Sequence, residues 1–144
     1  MSKPIYILNG PNLNLLGTRE PDVYGAQTLD DIAGLCTAKA KALGFDVDFR
    51  QTNDEGELVN HVQEAQSNAS AIIINAAAYT HTSVALHDAL RMVDVPIIEV
   101  HLSNIYKREE FRHKSFVSPV AQGVICGFGA NGYELAIDAV HKLL

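Results

Sequence analysis

The sequence predicts an α/β fold: a doubly wound, three-layer, five-stranded parallel sheet in the order 2-1-3-4-5, with helices on both faces. Three observations carry that expectation. Short continuous apolar runs, among them Ile5–Leu8 and Ala71–Ile74, have the pattern of strands covered on both sides. Segments of helical period separate these runs, and strands alternating with helices give a parallel sheet. Five strands in 144 residues suit the smaller doubly wound arrangement, in which the first strand is central and the crevice opens beside strands one and three.

In order, the first strand follows Pro4 and turns polar at Asn9. Amides at Asn9, Asn12 and Asn14 lie in a segment broken by Gly10, Pro11 and Gly17, and a loop bounded by Gly17 and Gly25 carries Arg19 and Tyr24. Thr28 caps the first helix, with Asp30 and Asp31 at its positive end. Leu29, Ile32, Leu35, Cys36 and Leu43 form its buried stripe, and Gly44 ends it. Phe45 to Arg50 alternates as a half-buried edge strand. Asp54, helped by Glu57, caps a second helix with Leu58, Val62 and Ala65 inward. A buried strand, Ala71 to Ile74, ends at Asn75. Thr80 or Thr82 starts a third helix on Val84, Leu86, Leu90 and Val93. Pro96 to His101 is the fourth strand and Gly123 to Cys126 the fifth. Tyr133 to Leu144 closes the chain with Leu135, Ala139, Val140 and Leu143 inward.

The whole chain, 1–144, reads as a single catalytic domain, with 47% hydrophobic residues and a formal net charge of -6. That balance argues against general nucleic-acid binding, which needs a basic face. No apolar run approaches membrane-spanning length, and no signal pattern opens the sequence. Cys36 and Cys126 read as reduced, buried thiols of a cytoplasmic protein.

Ligands in such sheets sit at the C-terminal ends of strands. Polar residues collect there after three separate apolar runs: Asn9 and Asn12, then Asn75, then Glu99, His101 and Ser103. Glu99 and His101 share one side of their strand. A carboxylate beside an imidazole fixes its tautomer and suits it to deliver a proton. Next, Lys107 to Lys114 holds four cationic residues of the chain's eleven Lys and Arg. Arg108 and Arg112, four apart, point the same way on one helical turn. The run reads equally as a solvated face paired with Glu109 and Glu110 or as a grip on an anionic substrate. His81 is expected at a helix start, where backbone N–H groups favour anions, and Asp88 follows on much the same face, within reach of Arg91. Tyr24 would need cations to act as a base at neutral pH, because tyrosine's pKa is about 10. Arg19 on the same loop, with Arg108 near in space, would supply them.

Gly127 to Gly132 satisfies G-x-G-x-x-G, yet too little chain follows for a second strand and an acidic ribose partner, so it reads as a tight turn. There is no Walker loop and no lysine within an apolar strand. The histidines lack metal-site spacing, so no metal is implied.

Taken together, LNGPNLNLLGTREPDVYG (Leu8 to Gly25), NAAAYTHTSVAL (Asn75 to Leu86), EVHLSN (Glu99 to Asn104) and REEFR (Arg108 to Arg112) with Ser118-Pro119 resemble type II 3-dehydroquinate dehydratase over nearly the whole chain. The resemblance implies a flavodoxin-like fold, a dodecamer built of trimers, and no cofactor. It implies dehydration of 3-dehydroquinate to 3-dehydroshikimate in the shikimate route to aromatic amino acids. Tyr24, a phenolate near Arg19 and Arg108, would take the proton beside the ketone. Asn12 would stabilise the enolate through a water, and His101, oriented by Glu99, would protonate the leaving hydroxyl. Asn75, His81, Arg112, Leu102 and Ser103 would hold the substrate, Asp88 would reach a neighbouring subunit's site, and the Arg19–Tyr24 loop would close as a lid. Ala76-Ala77-Ala78 stands where many members have Pro or Gly, and His87 where Arg is common. Local backbone shape and a subunit contact are what these departures touch. The competing reading is a non-catalytic domain of the same fold holding a flavin or a nucleotide phosphate at Gly127 to Gly132.

Overall fold

The computed structural model describes residues 2–18, 22 and 26–144. Arg19 and Tyr24 therefore lie outside the described residues. The elements run β1 (Ile5–Asn9), α1 (Leu29–Ala42), β2 (Val47–Gln51), α2 (Glu55–Asn68), β3 (Ala71–Asn75), α3 (Val84–Arg91), β4 (Ile97–His101), β5 (Gly123–Cys126) and α4 (Asn131–Leu143). All strand pairs are parallel and the order is β2-β1-β3-β4-β5, as the sequence predicts.

The side chains explain the layers. β1, β3 and β4 are buried along their whole length. Ile5, Ile7, Ile73, Ile98 and Val100 pack on one face with Ile32 and Cys36 of α1 and Tyr133, Ile137 and Val140 of α4. Tyr6, Leu8, Ile72, Ile74 and Ile97 pack on the other with Leu58, Val62 and Ala65 of α2 and Leu86 and Leu90 of α3. Each face thus removes a continuous apolar surface from water, worth about 1.5–3 kcal/mol per large side chain. On the α2-facing side of the edge strand β2, Arg50 grips Asp48 at 2.9 Å and also Glu64, which accepts the Tyr6 hydroxyl at 2.6 Å.

Several details differ from the expectation. The edge strand begins at Val47, so Phe45 precedes it and packs from the turn, while Gly44 ends α1 with a φ of 88°. Leu35, Leu135, Leu143 and Val84 are exposed. The inward stripes are narrower than the apolar pattern, and small residues, Ala40 and Ala136, let the helices approach the sheet. Ser83, not Thr80 or Thr82, caps α3, its Oγ accepting the Leu86 N–H at 2.9 Å. A 3-10 turn, Ala77–His81, takes up the preceding residues. Cys126 is only half-buried, although both cysteines are free. Asn9 does not face a ligand: its Nδ2 donates to the Arg50 carbonyl at 2.9 Å and its Oδ1 accepts the Tyr133 hydroxyl at 2.6 Å.

Two backbones meet closely where β1 and β3 end side by side. Gly10 donates to the Asn75 carbonyl at 2.8 Å, and a Cβ on Gly10 would lie 2.3 Å from the Ala76 carbonyl oxygen. Only glycine fits there. Just beyond, Ala77 holds a φ of 52°, a left-handed conformation that costs an alanine roughly 1–2 kcal/mol. This is the local consequence of alanine where many relatives were expected to carry Pro or Gly. Ala77→Gly removes that strain against roughly 0.4–1 kcal/mol of added chain entropy in the unfolded state. The variant is expected to gain about 0.5–1 kcal/mol, read as a higher urea midpoint at unchanged slope. A lower midpoint would show that the position is not strained.

Candidate active site

Beyond the C-terminal ends of β1, β3 and β4 lies one cleft. Among the described residues its walls include Pro11 to Leu13 after β1, Asn75, Ala77, Ala78 and His81 after β3, and His101 to Ser103, Arg108 and Arg112 after β4. Its interior of about 140 Å³ has room for on the order of ten waters, or one small organic acid.

Of the residues singled out in the sequence, Asn12, Asn75, His81, His101, Leu102, Ser103, Arg108 and Arg112 line this cleft. Glu99 lies beneath His101, with no exposed surface. Asp88 is exposed on α3 and is absent from the lining, and no ion pair joins it to Arg91 among the described residues. Arg108 and Arg112 do not share a helical turn, as their spacing suggests. Arg108 follows one 3-10 segment, Ile105–Lys107, in extended backbone, Arg112 ends a second, Glu110–Arg112, and both reach the cleft. Glu109 accepts from Arg112 Nε at 3.2 Å, so one of the predicted acidic partners is real as well.

The pairing of Glu99 with His101 follows from strand geometry. Alternation on β4 sends Ile98 and Val100 to one core and Ile97 to the other, on whose side Glu99 and His101 also project. His101 Nε2 lies 2.5 Å from Glu99 Oε2. Burial alone would raise the Glu99 carboxyl. The hydrogen bonds from His101 and Ser118, the charge of His101 and the bond from Ser115 outweigh it and hold Glu99 below the usual carboxylate range. An ionised Glu99 accepts the Nε2 proton and leaves Nδ1 as the other ring nitrogen.

His81 does not sit at a helix start. It ends the 3-10 turn, stacks on His101 with ring centroids 6.3 Å apart, and places Nδ1 2.8 Å from the Lys114 carbonyl. A carbonyl only accepts, so Nδ1 carries the proton and Nε2 is an acceptor for a ligand hydroxyl. Burial is the main force pushing the His81 pKa down. The bond to Lys114 works against it, and the charges of His101 and Arg112 push further down.

Three residues of this architecture escaped the sequence reading. Tyr133 is fully buried and joins both strand-end amides, accepting from Asn75 Nδ2 at 3.0 Å and donating to Asn9. Asn75 Oδ1 accepts the Ala77 N–H at 3.2 Å, so the Asn75 amide is held from both ends. Ser115 and Ser118 both donate to Glu99. A tyrosine at a helix start and serines in a loop carry no periodic signal. Ser118 stood out only as part of a motif.

The glycine run is a turn. Gly127 and Gly129 have φ values of 96° and 57°. Their N–H groups donate to the carbonyls of His101 at 3.3 Å and Leu102 at 2.9 Å. Those donors brace the cleft wall and are not presented to a phosphate. Among the described residues, no group of three or more His, Cys, Asp and Glu could hold a metal ion, and no helix is long and apolar enough to cross a membrane.

The family model described as dehydroquinase class II matches residues 3–141. This chain belongs to the class II dehydroquinases. It is 58% identical to the 3-dehydroquinate dehydratase of Sinorhizobium medicae strain WSM419, over 99% of this chain and 97% of that protein. It is 59% identical to 3-dehydroquinate dehydratase 2 of Pseudomonas aeruginosa, over 96% of this chain and 93% of that one. The crystal structure of type II dehydroquinase from Propionibacterium acnes superposes with a TM-score of 0.94 at 46% identity, covering 99% of this chain and 98% of that chain. The family resemblance and the doubly wound fold read from the sequence both stand.

Because the folded His81 pKa lies below the 6.5 of a free histidine, the unfolded chain takes up that proton first. Folding stability therefore falls as pH drops through about 6.5. In His81→Gln the loss of stability between neutral pH and pH 5 is expected to be smaller than in the parent, followed by urea denaturation. An equal loss in both would remove His81 as its source.

Proposed function

We propose that the chain dehydrates 3-dehydroquinate to 3-dehydroshikimate by anti elimination through an enolate, in the shikimate route to aromatic amino acids. Membership of the class II dehydroquinases supports the reaction, and both named relatives are 3-dehydroquinate dehydratases. The observation that carries it is a histidine, backed by a buried carboxylate, in the wall of a cleft that two arginines also line.

In this scheme the substrate's carboxylate is held by Arg112 and the backbone around Leu102 and Ser103, since a planar guanidinium matches a planar carboxylate. His81 Nε2 and Asn75 meet the hydroxyls. Tyr24, kept ionised by Arg19 and Arg108, removes the proton next to the ketone. Negative charge moves onto the ketone oxygen, where Asn12, through a water, is the donor. His101, protonated on both ring nitrogens with Nε2–H held by Glu99, then gives its Nδ1 proton to the hydroxyl at the far side of the ring. The carbon–oxygen bond breaks, water leaves, and the electron pair of the enolate closes the new double bond. The scheme draws on side chains, the backbone after β4 and one water. Supporting Asn12's part is its left-handed backbone, φ 70°, fixed where its N–H donates to Asn53 Oδ1 at 3.0 Å.

The same reading takes the chain as a single catalytic domain working in the cytoplasm as a dodecamer of trimers. Asp88 then serves the site of a neighbouring subunit, and its exposure on α3 fits that role.

The direct test adds 3-dehydroquinate and follows the ultraviolet absorbance of the conjugated enone product. Tyr24→Phe is expected to keep fold and assembly while kcat falls by about a thousandfold or more. Turnover near the parent rate in that variant would contradict the assignment of the base.

A further inference from the structure

Glu99 is fully buried, and its two oxygens receive three donors. Oε2 accepts from His101 Nε2 at 2.5 Å and from Ser115 Oγ at 2.9 Å, and Oε1 accepts from Ser118 Oγ. The direction of one of these bonds is forced. Ser115 Oγ already accepts the Val117 and Ser118 N–H groups, each at 3.0 Å. A hydroxyl has two lone pairs and one proton, so the only thing Ser115 has left to offer is that proton, and Glu99 takes it. A protonated Glu99 could not place its own hydrogen on this side. The turn that presents both serines is anchored by Val117, which is buried in the same core as Leu86 and Leu90.

We propose that Ser115 and Ser118 are positioning residues that hold Glu99 as an acceptor-only carboxylate and, through it, hold the His101 ring with Nε2–H inward and Nδ1 outward for proton delivery. The inference rests on the reaction proposed above. Neither serine is among the residues that line the cleft, so their action passes through Glu99. Their hydrogen bonds, with that of His101, also hold the Glu99 carboxyl down against the upward push of burial. Without them Glu99 would compete for the proton that His101 must hold.

Ser118→Ala is the cleaner variant, because Ser115→Ala also removes the acceptor of two backbone N–H groups and can open the turn. In Ser118→Ala, kcat is expected to fall about tenfold, the scale of one hydrogen bond to a charged group. KM should stay within about twofold, since no substrate contact is lost. Ser118→Thr, which keeps the hydroxyl, should restore kcat. In a Glu99→Ala background the second change should cost nothing further. A reading independent of turnover is the ring ¹⁵N spectrum of His101 at neutral pH. It should show Nε2 protonated against Glu99 in the parent, whether or not Nδ1 also carries a proton, and a partial loss of that Nε2 proton in favour of Nδ1–H in Ser118→Ala. Unchanged kcat and an unchanged tautomer in Ser118→Ala would overturn the proposal, as would an equal loss in the Glu99→Ala background. If the parent chain fails to turn over 3-dehydroquinate, the proposed reaction falls. The ¹⁵N comparison then still decides whether the serines set the His101 ring.

Discussion

A carboxylate with no access to water is the constraint on which this structure turns. Glu99 sits at the middle of a strand, β4, where its neighbours are isoleucines and valines and an unpaired charge would cost several kcal/mol. Burial is tolerable only because its oxygens are supplied with donors, and one donor is the imidazole facing the cleft. The interaction that settles the buried charge therefore also sets the orientation of the histidine. Charged-pair burial of this kind is poor evidence for stability, since an apolar pair of equal volume would pack at least as well. It is good evidence that the strand end is built for chemistry.

Topology does the rest. With β1 central and β3 and β4 beside it, three strand ends open into one space, and each contributes a different kind of group. β1 leads to an amide, β3 to an amide and an imidazole, and β4 to the acid–base pair and then the arginines. The amide of Asn75 is held from behind by the buried Tyr133 hydroxyl, and the glycine turn into α4 braces the carbonyls of His101 and Leu102. Preorganised groups of this kind lose little freedom when a ligand arrives. The cost appears elsewhere, in the left-handed Ala77 and in a contact between Gly10 and Ala76 that admits no side chain.

The fold was largely legible because its signals are local. Continuous apolar runs mark doubly covered strands, and caps such as Thr28 and Asp54 announce helix starts within a few residues. The Glu99–His101 pair was legible for the same reason, since a two-residue spacing on a strand fixes a shared side. What stayed hidden depends on contacts distant in sequence. Asn9 looks like a ligand residue until Tyr133, 124 positions away, claims its amide. Ser115 and Ser118 look like loop filler until the turn folds back over Glu99. Arg108 and Arg112 were placed on one helical turn by their spacing, although Arg108 follows one 3-10 segment and Arg112 ends another. Leu35, Leu135 and Val84 joined stripes on pattern alone, because hydropathy does not report which apolar residue the sheet has room for.

The claim beneath all of this is that the β4 strand end aims an imidazole at a small anion held by the neighbouring arginines. A crystal structure of Tyr24→Phe with 3-dehydroquinate bound tests it most directly. The substrate should lie in the cleft with its carboxylate within about 3.2 Å of hydrogen-bond donors at Arg112 or Ser103, and with its leaving hydroxyl at similar reach of His101 Nδ1. Substrate bound outside the cleft, or bound within it with the leaving hydroxyl turned away from His101, would contradict the account.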